Sequence, residues 1–541
     1  MRIESVNENT CMVYFGDRIG AESAGLVKQA SDRLRRDMSD LVIDLVPSYT
    51  SILVTWDLEQ ADRFAITRRL RAAIDAGDDD TAEGDSSRVV ELPVFYDPEV
   101  GLDLDDVCEY SGLSRDDIIR IHSEQTYQVY AIGFAPGFAY LGSTDERIAI
   151  PRKSTPRLKV PTGSVGIAGT QTAIYPSCTP GGWQIIGRTP QKMVDWTVTP
   201  WHWCKWAIRC ASVPSAETNS LSWEASPMSF EVVEPGMLAL IQDSGRYGYQ
   251  HMGVTTGGPM DEFAFFWANR LLDNDLNAPQ VEITFGRFSL LAQDDACIAI
   301  TGGDLGARIN DREISPWRTH RISRGDRLDF TAPVSGLRAY LAVSGGFRPA
   351  MKLGSCATVS REGLGGLDGQ GAKLAKGDKL AFEKNPAFVE AFLPGSEIPD
   401  YRQHLRLGVI PGYQYQSFPA VQRMKFFSCD YEISQNIDRM GYRLKGDAIY
   451  SDLDGIVSEG IAYGAIQVPK DGQPIVLMKD RQTIGGYPKT GCLSALDAGL
   501  LAQRGPGASV SFYLSDVAEA EGRRMLFNQR LKTGAPDVRT D

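Results

Sequence analysis

The sequence predicts a β-rich α+β protein built from more than one domain. Three observations carry that expectation. At 541 residues the chain is too long for a single hydrophobic core. Residues 1 to about 90 alternate strand and helix patterns in the order of a small ferredoxin-like layer. From Tyr127 to about Arg209, and again beyond residue 229, short apolar runs punctuated by Gly and Pro replace helical periodicity, which is barrel-like patterning.

In the first layer, Met12-Val13-Tyr14-Phe15 reads as a strand. Gly20 to Met38 has helical periodicity, with Leu26, Ala30 and Leu34 on one face. Leu41–Leu45 and Ser51–Trp56 read as strands, and Leu58–Ala76 as a second helix. Residues 75–87 (DAGDDDTAEGDSS) form an acidic, solvated loop. Val89–Phe95 reads as a strand, followed by two short helices whose starts carry Asp103 and Ser114 as caps. Residues 213–229 (VPSAETNSLSWEASPMS) are the best linker in the chain. Beyond it, Met260–Leu272 reads as a helix capped by Asp261, with Phe265, Ala268 and Leu272 on one side. Residues 391–405 read as a second linker, Ser515–Leu531 as an amphipathic helix, and the tail after Thr533 as disordered. The expected domains are therefore 1–88, 89–212, linker 213–229, 230–515, and a helix and tail at 516–541.

Composition narrows the function. Hydrophobic residues make up 43% and charged residues 23%, as in a globular protein. A net charge of -13 argues against nucleic acid as the main partner, because phosphate backbones need clustered Lys and Arg. The nine cysteines form no C-x-x-C pair and only five histidines are present, so no metal site is expected. The N-terminus lacks a signal-peptide core and no apolar run reaches transmembrane length, so the expectation is a cytoplasmic protein without a membrane partner.

Three stretches concentrate residues that can do chemistry. In the densest, Gly464–Pro488, a turn at Pro469-Lys470-Asp471-Gly472 precedes the strand Pro474–Met478, buried on both faces. Lys479, Asp480, Arg481, Gln482 and Thr483 then lead to Gly485-Gly486-Tyr487-Pro488 and Lys489. A rigid strand that delivers consecutive hydrogen-bonding side chains to a glycine-loosened loop suits a small-molecule site. The second, Gly133–Pro190, interleaves Gly and Pro with Phe134, Phe138 and Tyr140, and carries Arg157, Gln171, Gln184 and Arg188. Guanidinium forks suit carboxylate or phosphate. The third, Leu240–Asp261, places Gln242, Asp243, Arg246 and Asp261 around glycine turns; Asp243 and Arg246 are also spaced for a purely structural pair. Beside these, Ile433–Leu444 carries Asn436, Asp438, Arg439, Tyr442 and Arg443 and reads otherwise as a salt-bridged β-turn, Glu459 in Ser458-Glu459-Gly460 reads as a lone carboxylate, either a base or a surface group, and His122 is the histidine best placed for a role. No G-x-x-x-x-G-K-[ST] loop, G-x-G-x-x-G after a strand, G-x-S-x-G elbow or biotinylation Met-Lys-Met is present.

On these motifs the chain resembles a known family. Gly133–Gly142, Pro161–Gln171 and Pro180–Pro190 make residues 1 to about 210 similar to the B-type component of bacterial ATP-dependent 5-oxoprolinase, also described as Kip-type or allophanate hydrolase subunit 1. Gln242–Gly248, Gly258–Asp261, Asp438–Leu444 and Gly464–Pro488 make residues 230 to about 515 similar to the C-type component, the allophanate hydrolase subunit 2 or biotin-dependent carboxyltransferase family. The resemblance implies a fusion of the two, with cyclophilin-like β-barrels in both halves. Ala357, in Gly354-Ser355-Cys356-Ala357-Thr358, departs from the family pattern.

The implied reaction is ATP-dependent opening of 5-oxo-L-proline to L-glutamate with a separate A-type subunit. The implied alternatives are carboxyl transfer from carboxybiotin to urea or another amide, and a non-catalytic regulator of a histidine kinase. The cofactor expected is ATP with Mg, with no biotin carried on this chain. Under the first reading Arg157, Arg188, Arg481 and Lys489 contact anions, and Asp480 orients Arg481 or acts as a base. Gln171, Gln467 and Gln482 bind amide-like groups, with Gln184, Gln242, Arg246, Thr483 and Tyr487 completing the substrate or nucleotide set. The chain is compatible with a homo-oligomer.

Overall fold

A computed structural model of the chain describes residues 1–75, 89–194, 228–383, 390–533 and 537–539. Most of the expected acidic loop (76–87) and of the expected linker (213–227) lies outside the described residues.

The N-terminal layer is a four-stranded antiparallel sheet of Arg2–Asn7, Thr10–Tyr14, Val42–Pro47 and Ser51–Trp56. Their order is first, second, fourth, third. The ferredoxin-like expectation holds, with one difference. The strand beside Thr10–Tyr14 comes from an N-terminal hairpin, Arg2–Asn7, that the sequence reading missed. Helices Ala21–Asp37 and Arg63–Asp75 cover one face. Strand alternation then divides the sheet. Cys11, Val13, Ile52 and Val54 pack under the helices, while Val6, Met12 and Leu53 face the other way. The first helix is rotated from expectation: Val27, Ala30 and Leu34 are buried, and Leu26 is 42% exposed. The second begins at Arg63, five residues later than the pattern indicated, after a turn in which Gln60 and Ala61 donate to the Asp57 carbonyl.

The next region has helices Leu104–Ser111 and Arg115–Ser123 beside a five-stranded antiparallel sheet. The sheet runs Gln184–Arg188, Ser164–Ala168, Gln171–Ile174, Ala139–Gly142, Gln128–Ile132. The strand expected at Val89–Phe95 reduces to one bridge, Phe95 to Arg188. Ser114 caps its helix as expected, accepting from the Asp117 amide at 3.2 Å. Asp103 does not cap; its carboxylate is taken by Arg157, Lys153 and the Ile185 amide.

From Met228 a six-stranded and a seven-stranded sheet enclose one core, with Phe230 and Leu290 from the first meeting Val281, Ile300 and Leu341 from the second. Helix Glu262–Leu271 lies against it, capped by Asp261, whose carboxylate accepts from the Ala264 amide at 3.1 Å. A closed seven-stranded barrel follows, from Leu405–Pro411 round to Ser509–Leu514. Closure removes exposed strand edges. Helix Val517–Thr533 buries Val517, Ala520, Phe527 and Leu531 on one face. Beyond it, Asp537–Arg539 pairs with Glu390–Phe392, so part of the tail expected to be disordered adds a strand.

The barrel's outer face joins the two halves. Ile466, Val476 and Leu493 point into the barrel, whereas their neighbours Ala465, Ile475, Leu477 and Cys492 point out. The outward set shares one core with Met12 and Leu53 of the N-terminal sheet, Tyr140 of the five-stranded sheet and Phe138 just before its strand. The period of two therefore explains why Pro474–Met478 reads as buried on both faces. Among the described residues no helix is long and apolar enough to cross a membrane.

Candidate functional site

The polar run after strand Ile475–Leu477 turns inward at this junction. Lys479, Asp480, Arg481 and Thr483 are all buried. Each charge meets a partner from a distant segment. Lys479 Nζ lies 2.5 Å from Glu262, which also accepts from Arg524. Burial opposes the Glu262 charge, yet the two cations hold its carboxyl down to about 2. Asp480 accepts two hydrogen bonds from Arg439, at 3.0 and 2.9 Å, and Arg439 also donates to Glu282 at 2.6 Å. Asp480 therefore does not orient Arg481, and both its oxygens are occupied by another guanidinium. Burial raises its pKa against the opposing pull of Arg439.

Arg481 is different, because no carboxylate pairs with it. Its Nε donates to the Ile461 carbonyl at 2.9 Å. Its outer nitrogens make only long contacts, 3.5 Å to the Met478 carbonyl and 3.4 Å to Gln250 Oε1. Burial lowers its pKa to about 10, so it stays a cation at neutral pH. Gln250 in turn donates to Asp44 at 3.1 Å, and burial pushes the Asp44 carboxyl up to about 6.

A second charged pair sits beside it. Glu459 and Lys489 form a buried ion pair. Glu459 also accepts from Gln414 Nε2 and from the Tyr14 hydroxyl, each at 2.8 Å. Tyr14 comes from the N-terminal sheet, so both halves supply this cluster. Burial raises the Glu459 pKa while Lys489 opposes the rise. Strand register assembles the surroundings: Glu459 lies opposite Gly485, and Gln467 opposite Lys489. Gln467 Nε2 is buried and has no hydrogen-bond partner. A Cβ on Gly485 would come within 2.6 Å of Ile461, 2.9 Å of Gln467 Nε2 and 3.1 Å of Gln482 Nε2. A side chain at 485 would therefore displace the ends of Ile461 and the two glutamines, which converge there.

The glycine-rich stretch of the first half closes the junction. A Cβ on Gly133 would strike Ile484 at 2.5 Å, and the Gly137 amide donates to the Met252 carbonyl at 3.1 Å. Between them Phe134 holds φ +69°, a conformation that costs a bulky residue about 1–3 kcal/mol and persists only where the surroundings impose it.

The structure thus gathers Asp480, Arg481, Gln482, Thr483, Lys489 and Gln467, with Tyr487 46% exposed. The remaining candidates lie apart from this cluster. Arg157 is paired with Asp103 through two bonds of 2.6 and 2.7 Å, so its fork is not free for an anion. Gln184 accepts from Lys153, which also binds Asp103, and donates to the Pro151 carbonyl at 3.1 Å. Arg188 is exposed and donates to the Thr162 carbonyl. Gln171 is half-buried opposite Gly142. Gln242 donates to Thr358, and Arg246 donates to the carbonyls of Lys352, Ser355 and Ala357. Asp243 instead accepts from Ser355 and the Cys356 amide, so the structural Asp243–Arg246 pair that the spacing allowed does not form. His122 is buried with both ring nitrogens bonded, to Tyr96 and Thr172, and burial lowers its pKa to about 4. Tyr14, Asp44, Gln250 and Gln414 escaped the sequence reading. Each sits in a different motif or none, and only the fold places them together.

Known proteins share this architecture. Residues 1–203 match the model of the carboxyltransferase domain, subdomain C and D, and residues 252–514 that of the carboxyltransferase domain, subdomain A and B. The chain is 36% identical over 295 residues to the C-type component of 5-oxoprolinase from Escherichia coli (strain K12), covering 54% of this chain and 92% of that protein. It is 38% identical over 198 residues to the B-type component of 5-oxoprolinase from Bacillus subtilis (strain 168), covering 35% and 82%. Urea amidolyase of Lachancea kluyveri is 31% identical over 317 residues, covering 54% of this chain and 17% of that one. The crystal structure of TTHA0988 superposes with a TM-score of 0.80 at 30% identity, over 93% of this chain and 99% of that one. The chain belongs to the carboxyltransferase-domain family. Within that family it joins a half similar to the B-type component of 5-oxoprolinase to a half similar to the C-type component.

Proposed function

We propose that this chain is the fused B and C component of an ATP-dependent 5-oxoprolinase, acting with a separate A-type subunit to convert 5-oxo-L-proline to L-glutamate. The observation that carries the reading is the junction itself: a buried Glu459–Lys489 pair beside an unpartnered Gln467 amide and a cation, Arg481, with no carboxylate of its own. A lactam acid needs these groups. Arg481 offers its weakly bonded nitrogens to the substrate carboxylate. Gln467 Nε2 donates to the lactam carbonyl, with Gln482 beside it. Glu459 holds or takes a proton, and Tyr14, Gln414 and Lys489 fix its position.

ATP is a poorer match for this junction. The cations there are closed by Glu459, Glu262, Asp480 and Glu282, or donate to main-chain carbonyls. A triphosphate needs several unpaired cations, and of the cations described at the junction only Arg481 lacks a carboxylate partner.

The test is glutamate release from 5-oxoproline and ATP, with the chain alone and with an A-type subunit added. Release only with both is expected; no release from a folded, combined preparation overturns the reading. The urea amidolyase likeness favours a second reading, carboxyl transfer to an amide, which would show as carboxyl uptake from a supplied carboxybiotin carrier.

A further inference from the structure

Arg481 has no carboxylate of its own, yet one stands a single side chain behind it. Asp44 lies on strand Val42–Pro47 of the N-terminal sheet. Val46, on the same face by strand alternation, packs in the core shared with the barrel, whereas Leu45 faces the helices. The register of this strand slips between Val42 and Asp44, a bulge of the kind that re-aims a side chain. The first half thereby delivers Asp44 to residues 248–250 of the second.

The bonds there run in one direction. Asp44 Oδ1 accepts from the Leu45 amide at 3.0 Å. Its Oδ2 accepts from the Gly248 amide at 3.0 Å and from Gln250 Nε2 at 3.1 Å. An ionised carboxylate only accepts, so it fixes which end of the Gln250 amide faces it. The other end, Oε1, must then face Arg481, 3.4 Å from an outer nitrogen. Two acceptors thus hold the guanidinium, the Ile461 carbonyl on Nε and Gln250 on one outer nitrogen. The other outer nitrogen, 3.5 Å from the Met478 carbonyl, is the most weakly held. A reversed Gln250 amide would set N–H against N–H and turn the cation away.

We propose that Asp44 is a positioning residue for recognition of the substrate carboxylate: through Gln250 it orients Arg481, and so sets a preference for a lactam that carries an acid group over the same ring without one. The inference rests on the role proposed above for Arg481. It gives the N-terminal sheet a part in choosing the substrate, separate from the Tyr14 bond to Glu459. Asp44 touches no reacting atom, so its effect falls on binding.

Calorimetric titration of the full chain with 5-oxo-L-proline and with 2-pyrrolidinone, the ring without the acid, tests it without turnover. The buffer is held well above the Asp44 pKa of about 6. The parent is expected to bind the acid at least about tenfold more tightly than the bare lactam. Asp44→Ala and Gln250→Met are each expected to weaken 5-oxoproline at least about fivefold and to leave 2-pyrrolidinone within about twofold. The double variant should lose no more than the larger single loss, because both act along one path. Asp44→Asn can still turn an oxygen to Gly248 and Gln250, and should restore most of the preference. Thermal midpoints report folding; should Asp44→Ala fail to fold, Gln250→Met, a side chain of similar size, carries the test. A parent preference that survives both single substitutions overturns this inference and spares the lactam reading. Equal weakening of both ligands makes Asp44 a structural support and also overturns it. Additive losses in the double variant overturn the path through Gln250, and an Asp44→Asn as weak as Asp44→Ala overturns the hydrogen-bonded relay. A parent that binds neither ligand, or both alike, overturns the role of Arg481 and this inference with it.

Discussion

Gly133–Pro190 and Gly464–Pro488 look alike in sequence, and the structure uses them differently. Both are rich in Gly and Pro, and both carry polar side chains that suit a ligand. In the second, the polar residues are buried where the halves meet. In the first, the Gly133–Phe138 hairpin and apolar side chains such as Tyr140 and Trp183 pack at that junction, while Arg157 ties Asp103 into its own half and Arg188 faces solvent. The difference teaches that dense Gly and Pro mark backbone under constraint. They do not say whether the constraint serves a site or a scaffold.

The sharpest way to break this comparison is at Lys489. Lys489→Met leaves Glu459 buried without its ion partner, at a cost of about 3–5 kcal/mol, and glutamate release is expected to fall at least about a hundredfold, the usual scale for a proton-transfer group. Adding Glu459→Gln removes the stranded charge. The double variant should recover most of the unfolding free energy in urea but none of the activity. Recovery of both would make the pair structural and erase the distinction between the stretches.

Acid titration separates the regions in another way. Asp44 at the junction has its pKa raised to about 6 from an ordinary 3.8, so the native state holds an extra proton between those values. Its contribution to stability is present below pH 4 and lost as pH rises to 6, about 3 kcal/mol in all. His122 in the first half has its pKa lowered to about 4 from 6.5, so its contribution is lost as pH falls through that window. That loss is also about 3 kcal/mol. The two nearly cancel in the parent. Asp44→Asn removes one side, and thermal midpoints should then drop steeply from pH 6.5 to 4; an unchanged profile would refute the assignment.

Arg157→Ala probes the scaffold side. It leaves the buried Asp103 with Lys153 and the Ile185 amide alone, and should cost about 1–3 kcal/mol. The surviving folded protein is expected to keep its kcat, because Asp103 and Arg157 share no hydrogen bond with the junction. A fall in kcat matching that of the Lys489 variant would return Arg157 to the site.

What the sequence made legible follows from how local each feature is. The strand at Pro474–Met478 was readable because two buried faces leave an unbroken apolar run. The Asp261 cap was readable because capping needs only three residues. The Glu459–Lys489 pair was not, since it links groups 30 residues apart, one on a two-stranded sheet and the other on a barrel strand. Tyr14 and Glu459 stand 445 positions apart and belong to different halves. Asp103 misled for the same reason: its spacing fits a cap, but Arg157 and Lys153, 54 and 50 residues on, compete for its oxygens and win as charge-assisted bonds.

The smallest expected effect tests the other end of the comparison. Arg188 is exposed and donates one bond, 2.8 Å, from Nε to the Thr162 carbonyl. Arg188→Ala should change stability by no more than about 0.5 kcal/mol, the usual range for a surface substitution. Glutamate release should stay within twofold of the parent at saturating and at limiting 5-oxoproline. A rise in KM without a change in kcat would show that this guanidinium meets the substrate before the junction does, and would give the first glycine-rich stretch a binding role that its resting contacts do not reveal.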